Sequence, residues 1–398
     1  MASKKTALIV APTYPYPIDG GNLVALHGYH VALRHAGYDE VHFIGFADDT
    51  HPAGKQFEKI KLVTKPRKFT ARGLARHAAG QSLLLARYWS NEFEAALKSM
   101  LREQPYQAVF FQHGYMAQYI DAALPLLPEG CVKIASPEVL ESRAFMTKAQ
   151  LAGNQLARLA LKRESRILDR DESAVFNAFD RVLLYSTEDQ AHYLKHGGRA
   201  SVEIVRLGVD IQRYPVVPRA ATSAPGVTLA FFGAFSWFAN TDALEYLLKE
   251  VWPQIEARVP DATLLIAGRE MPDWAFTCAT PRLKVLGRVD SIEDFLSNVD
   301  LVLSPIRIGG GIRLKILETL AYGRSVLSTR VGLEGLAPEV AQLVHAADTP
   351  EEFAEAIIRL SADKAFLASQ AQVACQLVRE TYDARGLSKF MLAPFTNR

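Results

Sequence analysis

The stretch that decides the fold is Leu301-Val-Leu-Ser-Pro-Ile-Arg-Ile-Gly-Gly-Gly-Ile-Arg-Leu-Lys-Ile-Leu-Glu-Thr-Leu-Ala-Tyr-Gly323. An apolar run that ends at Pro305 predicts a buried strand, and a glycine-rich turn follows it. Beyond the glycines, apolar residues recur at the spacing of one helix face, at Ile312, Ile316, Leu317 and Leu320. A strand, a turn and a helix that packs on the sheet are typical of a parallel α/β fold.

The turn and the start of the helix predict a phosphate site. Backbone N–H groups can approach a ligand closely where side chains are missing, as at Gly309, Gly310 and Gly311. A helix N-terminus adds unpaired donors and a positive dipole end. Arg313 and Lys315 place two cations in the first turn, where the dipole alone disfavours them, so an anion between them is expected. Glu318 lies one turn further and can accept hydrogen bonds from ribose hydroxyls.

A glycine-rich turn with solvated charges is the alternative to a phosphate site in this segment, because short motifs also occur without function. Two better-known phosphate motifs do not fit. No Gly-Lys-Ser/Thr ends the loop, which excludes a P-loop. Leu314 stands where a dinucleotide-binding pattern has its third glycine, which excludes that pattern as well.

The rest of the chain predicts two domains. At 398 residues the chain is too long for one ordinary hydrophobic core. Apolar strands alternate with helical patterns in both halves, which predicts two Rossmann-like, doubly wound α/β domains that face each other across a cleft. We expect an N-terminal domain over residues 1–206, a proline-rich linker over 207–226, a C-terminal domain over 227–382, and a tail over 383–398 that can return to the N-terminal domain. Ligands of such sheets bind at the carboxyl ends of the strands.

Charge and cysteine content exclude several classes of protein. A formal net charge of +2 gives no reason to expect binding to nucleic acid over the whole surface. The three cysteines, Cys131, Cys278 and Cys375, stand far apart and offer neither a zinc pattern nor a disulfide framework. No apolar stretch approaches the length of a membrane-spanning helix. We therefore expect a cytoplasmic protein.

The segment 301–323 resembles the donor site of GT-B glycosyltransferases, in particular the retaining family 4, also called glycosyl transferases group 1. Further segments agree in order and spacing: Val205-Arg-Leu-Gly-Val-Asp210, Phe231-Phe-Gly-Ala-Phe-Ser-Trp-Phe-Ala-Asn-Thr-Asp242, Leu264-Leu-Ile-Ala-Gly268 and Val285-Leu-Gly-Arg-Val289. The resemblance is strong in the C-terminal half and diffuse in the N-terminal half. It implies a nucleotide-sugar donor bound mainly by the C-terminal domain, with no cofactor and no essential metal.

The resemblance also implies roles for individual residues. Arg313 and Lys315 would neutralise the departing nucleoside diphosphate, and Gly233 and Arg288 would contact the donor. Glu318 would match the second glutamate of the family's Glu-x7-Glu motif and hold the ribose. The first glutamate of that motif is replaced by Gly310. The identity of the donor sugar is therefore not carried over.

Acceptor-side candidates lie in the N-terminal half. Gly20 and Gly21 follow the first strand and either line the cleft or form an ordinary turn before a helix. His113 follows the strand from Ala108 and is a candidate catalytic residue, with an ordinary loop hydrogen bond as the alternative. Glu138 and Glu141 could bracket an acceptor, but acidic residues also stabilise the first turn of a helix, and we favour that structural role.

Two further segments bear on metal and membrane binding. Asp169 and Asp171 resemble an Asp-x-Asp metal motif, but residues two apart on a helix point to different sides, so no metal site is expected there. From Lys55 to Arg76 basic residues dominate, and Tyr88 and Trp89 follow. Such a stretch near exposed aromatic residues can bind an anionic membrane surface, or it can be a solvated loop before a core helix.

The sequence therefore predicts a glycosyltransferase that moves a sugar, with retention, from a nucleotide sugar to a saccharide or lipid-linked saccharide. The commonest setting of this group is synthesis of bacterial surface polysaccharide. One alternative is a sugar-nucleotide epimerase on the same scaffold. Another is a binding protein that kept the fold and lost turnover, since fold alone does not fix chemistry.

Overall fold

The structure is a computed structural model that describes residues 4–16, 18, 21–47, 56–66, 70–218, 226–308 and 312–392. The chain divides into two compact units. The N-terminal unit extends to Asp210 and includes the chain again from Ala384, and the C-terminal unit is Ile211–Asp383. The boundary lies within the segment expected as a linker. Five of its described apolar residues are buried, namely Leu207, Val209, Ile211, Tyr214 and Val217, whereas Val216 is exposed.

The N-terminal unit contains a seven-stranded parallel sheet within the described residues. Its strands are β1 (Thr6–Val10), β2 (Glu40–Ala47), β3 (Lys59–Thr64), β4 (Ala108–Gln112), β5 (Val132–Ser136), β6 (Arg181–Leu184) and β7 (Ser201–Ile204). Their order is β3-β2-β1-β4-β5-β6-β7, so the direction of winding reverses between β1 and β4. Ligands of doubly wound sheets bind at the carboxyl ends of the strands beside such a reversal.

Helices cover this sheet, because strands that are apolar throughout must be buried on both faces. They are α1 (Gly21–His35), α2 (Ala71–Ala78), α3 (Leu83–Arg87), α4 (Asn91–Glu103), α5 (Gly114–Ala117), α6 (Ile120–Ala123), α7 (Glu141–Leu151), α8 (Gln155–Phe176) and α9 (Thr187–Lys195). Short 3₁₀ segments are Leu124–Leu126 and Ala384–Phe390. The second segment packs on α1, and Tyr38 and Arg181 donate hydrogen bonds of 2.9 Å to the carbonyl oxygens of Met391 and Phe390.

The C-terminal unit repeats the same topology with six parallel strands in its described part. They are β8 (Thr228–Ala234), β9 (Thr263–Arg269), β10 (Leu283–Gly287), β11 (Leu301–Ser304), β12 (Ser325–Ser328) and β13 (His345–Ala346). The order β10-β9-β8-β11-β12-β13 reverses between β8 and β11. The two doubly wound sheets confirm the predicted α/β fold class.

The helices of the C-terminal unit bury apolar faces on this sheet. They are α10 (Phe238–Tyr246), α11 (Trp252–Arg258), α12 (Asp273–Phe276), α13 (Ile292–Ser297), α14 (Leu314–Ala321), α15 (Arg330–Leu333), α16 (Pro338–Ala341), α17 (Pro350–Ala362) and α18 (Lys364–Tyr382), with a π segment at Leu247–Val251 and a 3₁₀ turn at Ile211–Arg213. Ile316, Leu317 and Leu320 of α14 are buried, as their spacing predicts. No helix among the described residues of either unit is long and apolar enough to cross a membrane.

The basic stretch after Lys55 is not a solvated loop, which was one of the two predictions for it. Its described part forms the edge strand β3 and helix α2. Trp89 is also not exposed, since only 4% of its surface is accessible and Arg76 covers its ring at 3.9 Å. Lysines on an edge strand are a common protection against unwanted pairing. Trp89 is therefore not an exposed aromatic residue that could contact a membrane surface.

Candidate functional site

Lys315 occupies the centre of the candidate site in the C-terminal unit. It is the second residue of α14, and its side chain turns towards the end of β8. Its Nζ donates a hydrogen bond of 2.6 Å to Asn240 Oδ1 and lies 4.5 Å from the centre of the Phe231 ring. Burial, and next the charge of Arg313, lowers the pKa of Lys315 to about 7. An anionic ligand would restore the charged form of this amine.

Gly233 makes the approach of Lys315 possible. A Cβ atom at this position would lie 2.8 Å from Asn240 Nδ2 and 3.2 Å from Lys315 Nζ. Asn240 is itself held in place, because its Nδ2 donates to the Ala234 carbonyl oxygen at 2.8 Å. The end of β8, the start of α10 and the start of α14 therefore meet at one point, beside the reversal between β8 and β11. Gly233, which was predicted to contact the donor, leaves the space that Asn240 and Lys315 occupy.

Arg313 is a second cation at the same helix start. It caps α14 without a side-chain capping hydrogen bond, and only 3% of its surface is accessible. Its guanidinium lies 5.8 Å from the centre of the Trp237 ring. Burial lowers the pKa of Arg313, an effect that Glu334 opposes. Two cations at a helix N-terminus raise the local positive potential, which suits a diphosphate.

Glu318 lies one turn along α14 and contacts Tyr214. The Tyr214 hydroxyl donates a hydrogen bond of 2.9 Å to Glu318 Oε1. Burial raises the pKa of Glu318 to about 7, while this hydrogen bond acts in the opposite direction. The second carboxylate oxygen of Glu318 is suited to accept a hydrogen bond from a ribose hydroxyl.

Six further residues were predicted for the donor site and the acceptor side. Arg288 follows the edge strand β10 and is exposed, two strands away from β8. Gly309, Gly310 and Gly311 lie outside the described residues, and so does Gly20. Gly21 is the first residue of α1. The predicted roles of all six therefore stay predictions.

In the N-terminal unit, His113 stands at the carboxyl end of β4 with a left-handed backbone, φ 66°. Such a conformation costs about 1–3 kcal/mol in a residue other than glycine and is concentrated at functional sites. Its N–H donates to the Ser136 carbonyl oxygen at 2.8 Å, and its ring stacks on Tyr115 at 5.0 Å between centres. Burial lowers the pKa of His113 to about 4, so the imidazole is neutral at physiological pH.

Glu138 is a neighbour of His113 for which the sequence favoured a structural role. It also has a positive φ, 62°, and a hydrogen bond of 2.7 Å from the Val139 N–H to the Pro137 carbonyl oxygen closes a strained three-residue turn around it. Gln112 Nε2 donates to Glu138 Oε1, and His113 Nε2 lies 3.8 Å from Glu138 Oε2. Burial raises the pKa of Glu138 to about 8, so this carboxyl group holds its proton at neutral pH.

Three hydroxyl groups continue this polar region in the N-terminal unit. Tyr29 of α1 lies with its hydroxyl 2.6 Å from Ser136 Oγ and 2.7 Å from the Tyr185 hydroxyl. Ser136 ends β5, and Tyr185 follows β6. The carboxyl ends of β4, β5 and β6 therefore carry an imidazole, a carboxyl group and hydroxyls. These uncharged groups can orient a polyhydroxylated substrate by hydrogen bonds, and they can donate or accept a proton.

Other acidic residues have structural partners. Asp171 Oδ2 accepts from the Ser82 N–H at 2.7 Å, whereas Asp169 contacts His192, so the two carboxylates do not converge. Glu172 accepts from the N–H groups of Glu141 and Ser142 at 2.8 and 3.1 Å. This caps α7, and Glu141 lies in the first turn of that helix, the position of the structural role that was favoured for it.

The residues of these sites that were not predicted from the sequence include Asn240, Tyr214, Tyr29 and Tyr185, whereas Glu138 was considered for the acceptor side but expected in a structural role. Asn240 belongs to a segment quoted for its resemblance, but its contact with Lys315 joins residues 75 apart in the chain. Tyr214 lies in the proline-rich segment that was expected as a linker. For Glu138 the available signal was Pro137 immediately before it, at the end of a strand.

Known structures show which class of protein this fold defines. The chain is similar to HepE of Anabaena in complex with UDP, at 14% identity and a TM-score of 0.65 over 97% of this chain and 98% of that chain. It is similar to sucrose-phosphate synthase of Thermosynechococcus elongatus, at 16% identity and a TM-score of 0.69 over 98% and 97% of the two chains. WaaG, a glycosyltransferase involved in lipopolysaccharide biosynthesis, matches at 16% identity and a TM-score of 0.62 over 98% and 100%. The fold is that of the GT-B glycosyltransferases.

A family match is found within the C-terminal unit. Residues 226–363 match the family Glycosyl transferases group 1, which confirms the resemblance of this part of the chain to that group. The matched region contains β8 to β13 and therefore Gly233, Lys315 and Glu318. Among curated protein sequences, no significant match to the chain was found.

Proposed function

We propose that the protein is a glycosyltransferase that binds a nucleotide sugar with its C-terminal unit and transfers the sugar, with retention, to a saccharide or lipid-linked saccharide. The nucleoside diphosphate is both the anchor of the donor and the leaving group. Catalysis then consists mainly of positioning the donor and stabilising the negative charge that develops on the leaving group. No essential metal takes part in this proposal, because Arg313 and Lys315 supply the positive charge.

The observation that carries the proposal is the position of the Lys315 amine. It lies at the N-terminus of α14, against Asn240, in space that Gly233 leaves open. A buried amine with a lowered pKa, beside a second buried cation, is unfavourable until an anion binds. The family match of residues 226–363 supports a nucleotide-sugar donor as that anion.

The base and the acceptor are proposed from the relatives. HepE forms complexes with UDP and with UDP-glucose, so uridine nucleotides are the first donors to test. WaaG supports an acceptor of the saccharide or lipid-linked saccharide class and a role in bacterial surface polysaccharide synthesis. In the N-terminal unit His113, Glu138 and the Tyr29 hydroxyl are the groups that we assign to the acceptor side. Retention rests on the resemblance to family 4.

A turnover assay tests this function. The pure protein is incubated with UDP-, GDP- and ADP-sugars and a panel of saccharide acceptors, with and without EDTA. We expect release of one nucleoside diphosphate that depends on the acceptor, a product with the donor's anomeric configuration by NMR, and no loss of rate in EDTA. Tight binding of a nucleotide without turnover on any acceptor would instead identify a binding protein that lost catalysis.

The epimerase alternative draws on one observation, the buried pair His113 and Glu138. A neutral imidazole near a protonated carboxyl group can exchange protons with a substrate. The discriminating experiment uses the donor alone in D₂O. Deuterium at a ring carbon of the recovered nucleotide sugar would identify an epimerase, and a glycosyltransferase leaves that carbon unlabelled.

A membrane-surface location is proposed on the basic segment of the N-terminal unit. Helix α2 carries Arg72 and Arg76 on the side that faces Trp89, whereas Leu74 of the same helix and Leu83 of α3 are exposed. Cations and exposed leucines on one pair of helices suit an anionic bilayer surface. Binding to vesicles that contain anionic lipid, lost when Arg72 and Leu74 are both replaced by glutamate, tests this location. Equal binding to neutral and anionic vesicles would argue against it.

A further inference from the structure

A cluster in the N-terminal unit brings together three side chains of types that bind metals. Asp169 of α8 faces His192 of α9 and His196, the residue that follows α9. His192 Nε2 lies 2.6 Å from Asp169 Oδ1, and His196 Nε2 lies 3.7 Å from Asp169 Oδ2. One ligand atom of each residue lies within 4.8 Å of the others. We propose that this cluster binds a divalent transition-metal ion of the zinc type.

The spacing of the three side chains suits one ion. His192 and His196 stand four residues apart, so they share one side of the helix, and their ring centres lie 4.2 Å apart. The distance of 3.7 Å from His196 to Asp169 is too long for a hydrogen bond. Two ligands of a tetrahedral zinc ion lie about 3.4 Å apart, given metal–ligand distances of about 2.1 Å. The shorter contact of His192 would open by about 0.8 Å to fit this geometry.

The second nitrogen of His196 fixes which atom is available to a metal. His196 Nδ1 lies 2.8 Å from the His192 carbonyl oxygen. A carbonyl oxygen can only accept, so Nδ1 carries the proton and Nε2 of the neutral ring has a free lone pair. A histidine that binds a metal through one ring nitrogen usually donates a hydrogen bond from the other ring nitrogen, and this hydrogen bond orients the ring. His196 therefore presents Nε2 towards Asp169 as a ligand atom.

Access and ligand chemistry favour zinc over hard cations. Asp169 and His196 line an open groove of about 450 Å³, which gives an ion a path from solvent and leaves a position for a water ligand. Two imidazoles and one carboxylate suit zinc, whereas magnesium and calcium prefer oxygen ligands. Arg170 also lines the groove, but its guanidinium lies 2.6 Å from Asp171 Oδ1, which compensates its charge.

A bound ion would link α8 to the end of α9, two helices that β6 separates in the chain. Asp169 precedes β6 in the chain, and both histidines follow it. Because the unfolded chain does not hold these three side chains together, metal binding stabilises the folded state. This site lies in the N-terminal unit and uses none of the residues of the donor site. Its function is to stabilise this unit and not to assist the departure of a nucleotide.

The test measures zinc binding and stability of the intact, untagged protein after removal of metals by a chelator. We expect one zinc ion per chain in equilibrium dialysis. At a free zinc concentration about one hundred times the dissociation constant, the unfolding midpoint should rise by roughly 5 °C. Magnesium should cause no shift. His196→Asn and Asp169→Asn should lose both effects, and His35→Ala, which removes an exposed histidine at the end of α1, should retain them.

The opposite results would overturn the proposal. Equal zinc binding by the wild type and His196→Asn, or no zinc-dependent shift in the wild type, leaves Asp169 as an ordinary hydrogen-bond partner of His192. Circular dichroism without zinc shows whether each variant is folded. If His196→Asn is unfolded, Asp169→Asn decides, because it keeps the shape of the side chain. Cobalt in place of zinc adds a visible absorption band, which should disappear in Asp169→Asn.

Discussion

The two units share the order of six strands, yet one candidate site is positively charged and the other is uncharged. In the C-terminal unit two buried cations, Arg313 and Lys315, gather at one helix start. In the N-terminal unit the strand ends carry a neutral imidazole at His113 and a protonated carboxyl group at Glu138. The first arrangement is suited to hold a charged ligand, and the second to orient an uncharged one. The shared order of strands thus supports two kinds of recognition, because different residues follow the strand ends in the two units.

The largest expected effect is the loss of nucleotide affinity when the charge of the C-terminal site is reduced. Lys315→Ala should weaken binding of the preferred nucleoside diphosphate roughly a hundredfold, about 3 kcal/mol, because a buried charge-assisted contact to phosphate is lost. Isothermal titration calorimetry measures this affinity. Lys249→Ala is the matched control, since Lys249 is an exposed lysine of the same unit that pairs with Glu245. Equal losses in both variants would mean that the position of Lys315 has no special role.

The second prediction concerns the N-terminal site. His113→Ala should lower kcat about thirtyfold, as expected for the loss of about 2 kcal/mol of hydrogen bonding to a substrate. Its affinity for the nucleoside diphosphate should stay within twofold of the wild type, because the proposed donor site lies in the other unit. Steady-state kinetics and calorimetry on the same preparation give both values. A large fall in nucleotide affinity would break the proposed division of roles between the units.

The third prediction tests the space at the end of β8. Gly233→Ala adds a Cβ atom that would lie 2.8 Å from Asn240 Nδ2, so Asn240 and Lys315 must shift. We expect about tenfold weaker nucleotide binding, since a charged contact loses part of its geometry. Gly153→Ala serves as the control, because a Cβ atom there meets nothing within 4 Å. Unchanged affinity in Gly233→Ala would show that the amine does not need its present position.

The smallest effect is a pH dependence of donor binding. In the free protein Lys315 has a pKa of about 7 and loses its proton as the pH rises above that value. A phosphate ligand favours the charged amine, so affinity should fall about fivefold between pH 7 and pH 8. Lys315→Arg should flatten this dependence, because the arginine stays charged. The same slope in Lys315→Arg and the wild type would assign the titration to another group.

The sequence predicted the C-terminal site better than the N-terminal one because the first is continuous in the chain. The strand, turn and helix of 301–323 carry Arg313, Lys315 and Glu318 within six residues, and their helical spacing is visible directly. The contact from Lys315 to Asn240 requires that β8 and β11 be neighbours, which local patterns do not reveal. His113 and Glu138 come together because β4 and β5 pair, and their positive φ values are a property of the fold.

Strands β3 and β7 were not predicted from local patterns for a similar reason. Strand β3 (Lys59-Ile-Lys-Leu-Val-Thr64) alternates lysine with an apolar residue over only four positions, and this short pattern lies within a longer basic stretch. Strand β7 is short and half exposed, so its pairing with β6 and not its own composition makes it a strand. The His192 and His196 pair at helical spacing was visible in the sequence, but Asp169 reaches it only through the packing of α8.

The most direct test of the donor site is a crystal structure of the intact protein with the nucleoside diphosphate that binds most tightly. We predict phosphate oxygens within about 3 Å of Lys315 Nζ, as in other charge-assisted contacts, with Arg313 on the same diphosphate. The ribose hydroxyls should donate to Glu318. A nucleotide bound away from the ends of β8 and β11, or the absence of measurable affinity for any nucleoside diphosphate, would contradict the proposed donor site.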